Sequence, residues 1–225
     1  MFGRGRHRRR RGGRRVSQLT EAALEEREAD GDAELDGGPY DESRAPDDGV
    51  NRLDLGSIRL PMPEGSQLQV EVDPAGPVRA VHLVTEFGQI TVTAFAAPRG
   101  EDLWEQVSEE IARQLAADGG KITQLDGEWG AEVHAVTPKV QLRFVGIDGP
   151  RWMLRGMAAA PADRHERLVE LLYEVLRDTV VVRGAEALPA QSQLPITLPE
   201  PMAEQLRQAA AAQQQAQQPQ PGHAG

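Results

Sequence analysis

The feature that most constrains this fold is a pair of alternating apolar segments on either side of Asp148-Gly149-Pro150. Val140–Ile147 and Arg151–Met157 each place apolar side chains at every second position. Period-two patterning around an Asp-Gly pair predicts a β-hairpin that buries one face. The residues that we assign to this buried face are Leu142, Phe144, Trp152 and Leu154. Because aromatic residues make up only 4% of the chain, we expect the core to form around this hairpin.

Two amphipathic helices and several further strands surround the hairpin in the sequence. Residues 102–117 carry an apolar stripe at helical spacing, and residues 163–178 carry a wider one, which we place on the hairpin's buried face. The capping pairs that start these helices are Asp102 with Glu105 and Asp163 with Glu166. Further strands are predicted at 54–60, 66–73, 78–85, 89–96, 121–125, 131–136 and 179–182. The order predicts an α+β fold, an antiparallel sheet with two packed helices in an αβα sandwich, as a single domain over residues 50–184.

Both ends of the chain are predicted to lie outside this domain. Residues 1–15 contain eight Arg and no acidic residue, whereas residues 16–48 contain twelve Asp or Glu and two Arg. Such composition predicts a disordered arm over residues 1–49, first basic and then acidic. Residues 185–225 form an extended, Pro/Gln/Ala-rich tail, in which a short helix is possible at 202–218.

The basic part of the arm is a candidate polyanion-binding segment. Its arginines are Arg4, Arg6, Arg8, Arg9, Arg10, Arg11, Arg14 and Arg15. Clustered arginines bind nucleic acid or an anionic surface electrostatically. The alternative is a solubilising tail, and the acidic segment that follows is a competitor for the same arginines.

Composition also constrains the compartment. The chain contains no cysteine, which excludes disulfides and thiolate chemistry and fits a reducing cytoplasm. No apolar run approaches the roughly 20 residues of a membrane span. The Arg-rich start is followed by a charged, helical segment rather than the apolar region of a signal peptide. We therefore expect a soluble, cytoplasmic protein.

Several short motifs carry a resemblance to known families. The Pro63-Glu64-Gly65 step and the late hairpin FVGIDGPRWMLRG resemble those of the PsbP/Mog1-like αβα sandwiches. The segments MFGRGRHRRR, LDLGSIRLPMPEG, GEWG and GPRWMLRG resemble an actinobacterial family of uncharacterised proteins, the domain-of-unknown-function family 3710. This resemblance implies a small cytosolic accessory protein, and it supplies no catalytic or binding residues.

The sequence contains no recognisable catalytic motif. No Ser lies in G-x-S-x-G or S-x-x-K, and no phosphate-binding glycine loop follows a strand. His82 and His134 could bind a metal with Glu132, but histidines with structural roles in strands are the expected alternative. Asp126 and Glu128 could act as an acid/base pair, or they are simply solvated. We predict no catalytic residues, no cofactor and no metal.

A basic strip on the hairpin is a candidate site for a partner. If the two segments pair, Arg143 and Arg155 should lie together on the face opposite Phe144 and Trp152, near Arg151. With Arg59, such a strip would suit an anionic ligand or the acidic surface of a partner. The alternative is that these arginines cover apolar surface and pair with Glu86, Glu128 or Glu132.

Trp129, in Gly127-Glu128-Trp129-Gly130, is the other candidate contact. An aromatic residue in a turn between glycines is either an anchor for a partner or a plug at the end of the core. We predict a non-enzymatic binding or adaptor module that acts through protein–protein contacts. The alternatives are a nucleic-acid-associated accessory protein that binds through the Arg-rich arm, and an enzyme without a recognisable motif.

Overall fold

The computed structural model describes residues 37–73 and 78–217, with side chains as far as residue 209. These residues belong to one structural unit, which begins at Gly37. The predictions for residues 1–36, including all eight arginines of the basic arm, lie outside the described residues.

A seven-stranded antiparallel sheet forms the centre of the unit, in the order β4-β5-β6-β10-β9-β8-β7. Its strands are β4 (Gln67–Val72), β5 (Val78–Val84), β6 (Gln89–Ala96), β7 (Lys121–Gly127), β8 (Gly130–Val136), β9 (Gln141–Gly149) and β10 (Trp152–Ala160). The predicted hairpin is β9–β10, and it lies in the middle of the sheet. Strand β10 is buried between β6 and β9, which explains its apolar sequence.

The register of the β9–β10 hairpin corrects the predicted faces. Only Pro150 and Arg151 connect the strands, so that Leu154 pairs with Ile147 and Met157 pairs with Phe144. A loop of two residues puts even-numbered residues of β10 on the same face as odd-numbered residues of β9, whereas a three-residue loop would have matched even with even. Phe144 therefore faces away from Trp152 and Leu154, and the prediction of one shared face was wrong.

The two predicted helices cover opposite faces of the sheet. Helix α1 (Trp104–Ala117) packs on β7, β8 and β9, and helix α2 (His165–Arg177) packs on β10, β6 and β9. The α2 side includes Trp152 and Leu154, while the α1 side includes Phe144. The predicted α+β fold, a sheet between two packed helices, is confirmed.

A second, four-stranded sheet adds to the α2 side, in the order β1-β11-β3-β2. Its strands are β1 (Tyr40–Asp41), β2 (Arg52–Asp54), β3 (Ile58–Pro61) and β11 (Val180–Val181). Ile58 and Leu60 of this sheet, with Leu55 from the turn between β2 and β3, belong to the same core cluster as side chains of α2, β5 and β6.

Segments on both sides of the predicted 50–184 domain also pack on it. Tyr40 donates its amide hydrogen to the carbonyl of Thr179 (2.9 Å), which adds β1 to the small sheet. After β11, Leu194 is buried and donates to the carbonyl of Ala94 (2.9 Å). Such short segments have no periodic pattern, because tertiary hydrogen bonds rather than repeated apolar positions hold them.

The last described element is helix α3 (Glu200–Gln217), near the predicted 202–218. Among the residues that the structure describes, no helix is both long and apolar enough to cross a bilayer.

The start of α1 is fixed by the hairpin rather than by the predicted cap. Asp102 makes no capping hydrogen bond to α1. Instead, the Asp148 carboxylate accepts hydrogen bonds from the backbone N–H groups of Leu103 (2.9 Å) and Trp104 (3.0 Å). The same helix end is anchored by the Trp104 indole, which donates to the carbonyl of Ala131 (2.6 Å). Residues more than 25 positions downstream in sequence therefore set the position of α1.

Candidate functional site

The diagonal placement of the helices leaves part of the sheet uncovered. Because α1 packs on β7, β8 and β9, no helix of the described residues packs extensively on the α1 side of β4, β5 and β6. We call this region, with the adjoining part of β10, the open face. The side chains that define it are His82, Thr91, Thr93, Phe95 and Arg155, which the strand register places on that side.

Arg155 is the charged residue at the inner end of the open face. It pairs in register with Thr93 of β6, and its guanidinium lies 4.8 Å from the centre of the Phe95 ring. Arginine stacks on aromatic faces through a cation–π interaction, worth roughly 0.5–1 kcal/mol at exposed sites. Phe95 therefore positions the guanidinium on the sheet surface.

The charge of Arg155 has no counterion within the described chain. No described carboxylate lies within ion-pairing distance of it, and its guanidinium makes no hydrogen bond there. Burial lowers the pKa of Arg155, and no neighbouring acid opposes that shift. A half-buried cation without a partner destabilises the folded state, because no ion pair offsets the cost of removing the charge from water.

The rest of the open face is polar. The hydroxyl of Thr91 lies 2.8 Å from Nδ1 of His82, whose Nε2 is 3.5 Å from the Glu71 carboxylate on the edge strand β4. Glu71 is also 3.7 Å from Arg79. Glu71 is thus engaged at the outer edge of this face, on strand β4.

Arg143 lies on the opposite side of the sheet from Arg155, so the predicted basic strip does not form. It is buried on the α2 side, where Nη1 donates to the Glu132 carboxylate (3.0 Å). This is the pairing that the sequence offered as the alternative. Arg59 is not part of such a strip either, since it lies in β3 of the small sheet and pairs with Glu42 (2.9 Å).

A buried polar network surrounds the Glu132–Arg143 pair. The Tyr173 hydroxyl of α2 lies 2.8 Å from both carboxylate oxygens of Glu132 and donates to them. Burial, followed by the hydrogen bond to Glu132, raises the pKa of Tyr173 to about 12. The network therefore links α2 to β8 and β9.

Two histidines extend this network at the start of α2. The rings of His134 and His165 stack with centres 5.0 Å apart, and His165 is fully buried. Burial lowers the pKa of His165, whose Nδ1 lies 3.3 Å from the Glu166 carboxylate. Its Nε2 atom has no hydrogen-bond partner among the described residues.

The two histidines of the alternative metal site are not brought together. His82 lies on the α1 side of β5, and His134 lies on the α2 side of β8, with β6, β10 and β9 between their strands. Within the part of the chain that the structure describes, no group of three or more His, Cys, Asp or Glu side chains has metal-binding geometry.

Trp129 occupies the β7–β8 turn, half-buried against the core. Its ring meets Tyr173 edge-on at 5.8 Å, and the Arg177 guanidinium lies 6.0 Å above it. Arg177 also forms an ion pair with Glu128 of the same turn. These contacts tie the turn to the end of α2, as a plug would, and they engage Glu128 with Arg177. Whether Trp129 also contacts a partner stays a prediction.

Sequence reasoning missed the residues whose roles depend on tertiary neighbours. Phe95, Tyr173 and Asp148 each contact a charged or polar group from another element. One available signal was the carboxylate of Glu132 in strand β8 next to apolar Val133, which indicates that a buried partner exists without identifying it.

Comparisons with known proteins give the following similarities. The family model described as "Protein of unknown function (DUF3710)" matches residues 38–205. Among solved structures, the chain is similar to cyanobacterial PsbP (CyanoP) from Synechocystis sp. PCC 6803, with 13% identity, 60% of this chain and 96% of that chain covered, and a TM-score of 0.39. It is also similar to a GTP binding regulator from Thermotoga maritima, with 13% identity, 56% of this chain and 82% of that chain covered, and a TM-score of 0.27. No curated protein matches the chain.

Proposed function

The chain belongs to the DUF3710 family, and because the description of that family assigns no activity, we propose a function from the geometry of the domain. We propose that it is a non-enzymatic binding module that takes an acidic segment of a protein partner on the open face. Arg155 is the anchoring cation of this site, and Phe95 is the platform that holds it.

The observation that carries this proposal is the half-buried guanidinium of Arg155, which has no carboxylate partner among the described residues. A partner's Asp or Glu would supply the missing charge, and guanidinium binds carboxylate in a bidentate geometry. The stack on Phe95 fixes the orientation of the Arg155 guanidinium before binding, which reduces the entropy lost on association.

The neighbouring groups fit an extended acidic peptide better than a compact ion. Thr93 is next to Arg155 across the β6–β10 pair but is buried, whereas Thr91 and His82 are half-buried and continue the polar surface toward β4. The side chains of Thr91 and His82 can hydrogen-bond a peptide backbone, while Phe95 and Met157 offer apolar contact. Such a mixed surface is typical of non-obligate protein interfaces.

A non-enzymatic role is supported by how the ionisable groups of the α2 side are used. Glu132 binds Arg143 and Tyr173, and His165 is enclosed beneath the helix. These groups hold elements together, and a substrate would have to displace structural contacts to reach them.

The test compares the full-length protein with Arg155→Met and with the control Arg167→Met, which removes an exposed arginine of α2 that pairs with Glu170 (2.9 Å). Each protein is used to capture partners from native lysate in low and high salt. We expect the wild type and Arg167→Met to capture partners that carry acidic segments, and Arg155→Met to lose that capture. Capture by the wild type should weaken in high salt.

Thermal unfolding of the same proteins separates binding from folding. Met fills the space over Phe95 without a charge to desolvate, so we expect Arg155→Met to be at least as stable as the wild type. Unchanged capture by a folded Arg155→Met protein would contradict the proposal. If that variant fails to fold, Arg155→Lys replaces it, because Lys keeps the charge but lacks the planar fork.

A further inference from the structure

A cleft of about 500 Å³ lies at the tip of the β9–β10 hairpin, away from the residues of the open face. Three segments meet there: the chain around β1, the hairpin turn, and the residues that follow β11. Its lining residues are Asp41, Glu42, Ser43, Pro150, Arg151, Arg183, Gly184 and Ala185. The cleft is widely open to solvent, so a ligand there would be held mainly by polar contacts with the lining residues.

The two arginines of this cleft, Arg151 and Arg183, form no ion pair with a carboxylate of the described residues. Arg183 donates Nε to the carbonyl of Arg151 (3.1 Å) and Nη1 to the carbonyl of Glu186 (3.0 Å), and both acceptors are neutral. No described carboxylate lies within ion-pairing distance of the Arg151 guanidinium, although the charge of Asp41 interacts with it at longer range. The cleft therefore presents two guanidinium groups with free donor capacity.

The acidic residues of the cleft are already engaged. The Asp41 carboxylate accepts hydrogen bonds from the Ser43 amide (3.0 Å) and hydroxyl (2.6 Å) and from the Trp152 indole (2.9 Å). Glu42 forms an ion pair with Arg59 (2.9 Å), which lies outside the cleft lining. The ion pair with Arg59 offsets the charge of Glu42, whereas Asp41 keeps its negative charge and interacts with Arg151 at longer range.

The backbone holds Arg151 in an uncommon conformation. Its φ of 64° lies in the left-handed region, which glycine or asparagine usually occupies in a turn. The Arg151 carbonyl accepts from both the Ala97 amide (2.9 Å) and Arg183, so the conformation is fixed from two sides. Strained residues of this kind cluster at ligand sites, and a glycine here would relieve the strain but remove the guanidinium.

We infer that this cleft binds the phosphate group of a small phosphorylated compound that carries hydroxyl groups. The forked donors of Arg151 and Arg183 match phosphate oxygens. The remaining acceptor capacity of Asp41 and Glu42 suits hydroxyl donors on the rest of the ligand. The cleft shares no residue with the open face, so the proposal of a phosphate site does not depend on the proposed acidic partner.

The experiment titrates the full-length protein with ribose 5-phosphate, inorganic phosphate and ribose in separate calorimetric measurements. We expect ribose 5-phosphate to bind more tightly than phosphate, and ribose to show no binding alone. The key variant is Arg151→Gly, which suits the turn and should fold at least as well as the wild type. Loss of a charge-assisted hydrogen bond should weaken ribose 5-phosphate binding about tenfold or more.

The control Arg167→Gln removes an exposed arginine elsewhere and should leave the affinity unchanged. The eight arginines of residues 1–15 are present in every protein, so any phosphate that they bind contributes equally to all titrations. The inference is overturned if none of the three compounds binds at millimolar concentration. It is also overturned if Arg151→Gly binds ribose 5-phosphate as tightly as the wild type, which would show that Arg151 does not hold the phosphate.

Discussion

His165 is the single residue whose protonation we expect to affect the stability of the domain most directly. The groups that face it are His134 of β8, Arg143 of β9 and Glu166 of its own helix. Burial lowers its pKa below the usual value of 6.5, and the charges of His134 and Arg143 act in the same direction, against the opposing effect of Glu166. The folded state therefore binds a proton at this site less readily than the unfolded state does.

The sign of the pH dependence follows from this difference. A base with a lowered pKa in the folded state contributes stability above its unfolded pKa, and that stability is lost as the pH falls below about 6.5. We expect the free energy of unfolding in urea to decrease from pH 7 to pH 5, with a smaller decrease for His165→Gln.

The control for this prediction is Val175→Ala, which removes apolar contacts from the same helix at a buried position. This variant should be less stable at every pH but should keep the wild-type slope. Equal slopes for His165→Gln and the wild type would show that His165 does not carry the acid sensitivity.

At the scale of elements, α1 depends on the central hairpin for its first turn. Asp148 at the end of β9 satisfies two backbone N–H groups that an α-helix leaves without partners. Position 148 is a few residues from the hairpin turn, so the turn and the helix start are coupled. The hairpin therefore positions helices on both of its faces, α2 through apolar packing and α1 through a carboxylate.

We predict that Asp148→Ala lowers the free energy of unfolding by about 1 kcal/mol, the usual cost of a lost helix cap. For a domain of this size that corresponds to a fall in Tm of roughly 2–4 °C. The matched control is Asp102→Ala, at the position that local sequence indicates as the cap, and we expect a change of less than about 0.5 kcal/mol. If Asp102→Ala were the more damaging change in thermal unfolding, the assignment of the cap to Asp148 would be wrong.

At the scale of the whole molecule, charge is segregated along the chain. The basic residues 1–15 and the acidic residues 16–36 precede a domain whose described arginines are mostly paired. Association through the eight arm arginines would be electrostatic and independent of sequence, whereas the site at Arg155 is specific to one face.

Deletion of residues 1–15 should therefore abolish binding to a single-stranded RNA oligonucleotide and leave the Arg155-dependent capture of partners intact. Mobility-shift measurements at two salt concentrations test the first part, because wild-type binding should weaken steeply with salt. RNA binding that survives the deletion would exclude the arm as its source and would direct attention to the domain.

Much of the element order could be predicted because it depends on local pattern. The alternation in β6 and the apolar stripe of α2 are properties of 8 and 13 consecutive residues, and both elements form where the pattern places them. The faces of the hairpin could not be predicted equally well, because the choice between a two-residue and a three-residue loop reverses the relation between its strands. This single difference put Arg143 in a buried ion pair and left Arg155 on the open face.

The sequence by itself determined the fold class, the two helices, the central hairpin and the segregation of charge, since periodicity and composition act over short distances. Only the tertiary structure decided which charged residues are neutralised. Arg143 and Arg155 look alike in sequence, but the Glu132 carboxylate pairs with Arg143, whereas Arg155 stacks on Phe95 and has no carboxylate partner among the described residues. The physical reason is that the free energy of a charge depends on the groups that surround it in space, and strand register and helix placement bring those groups together from distant parts of the chain.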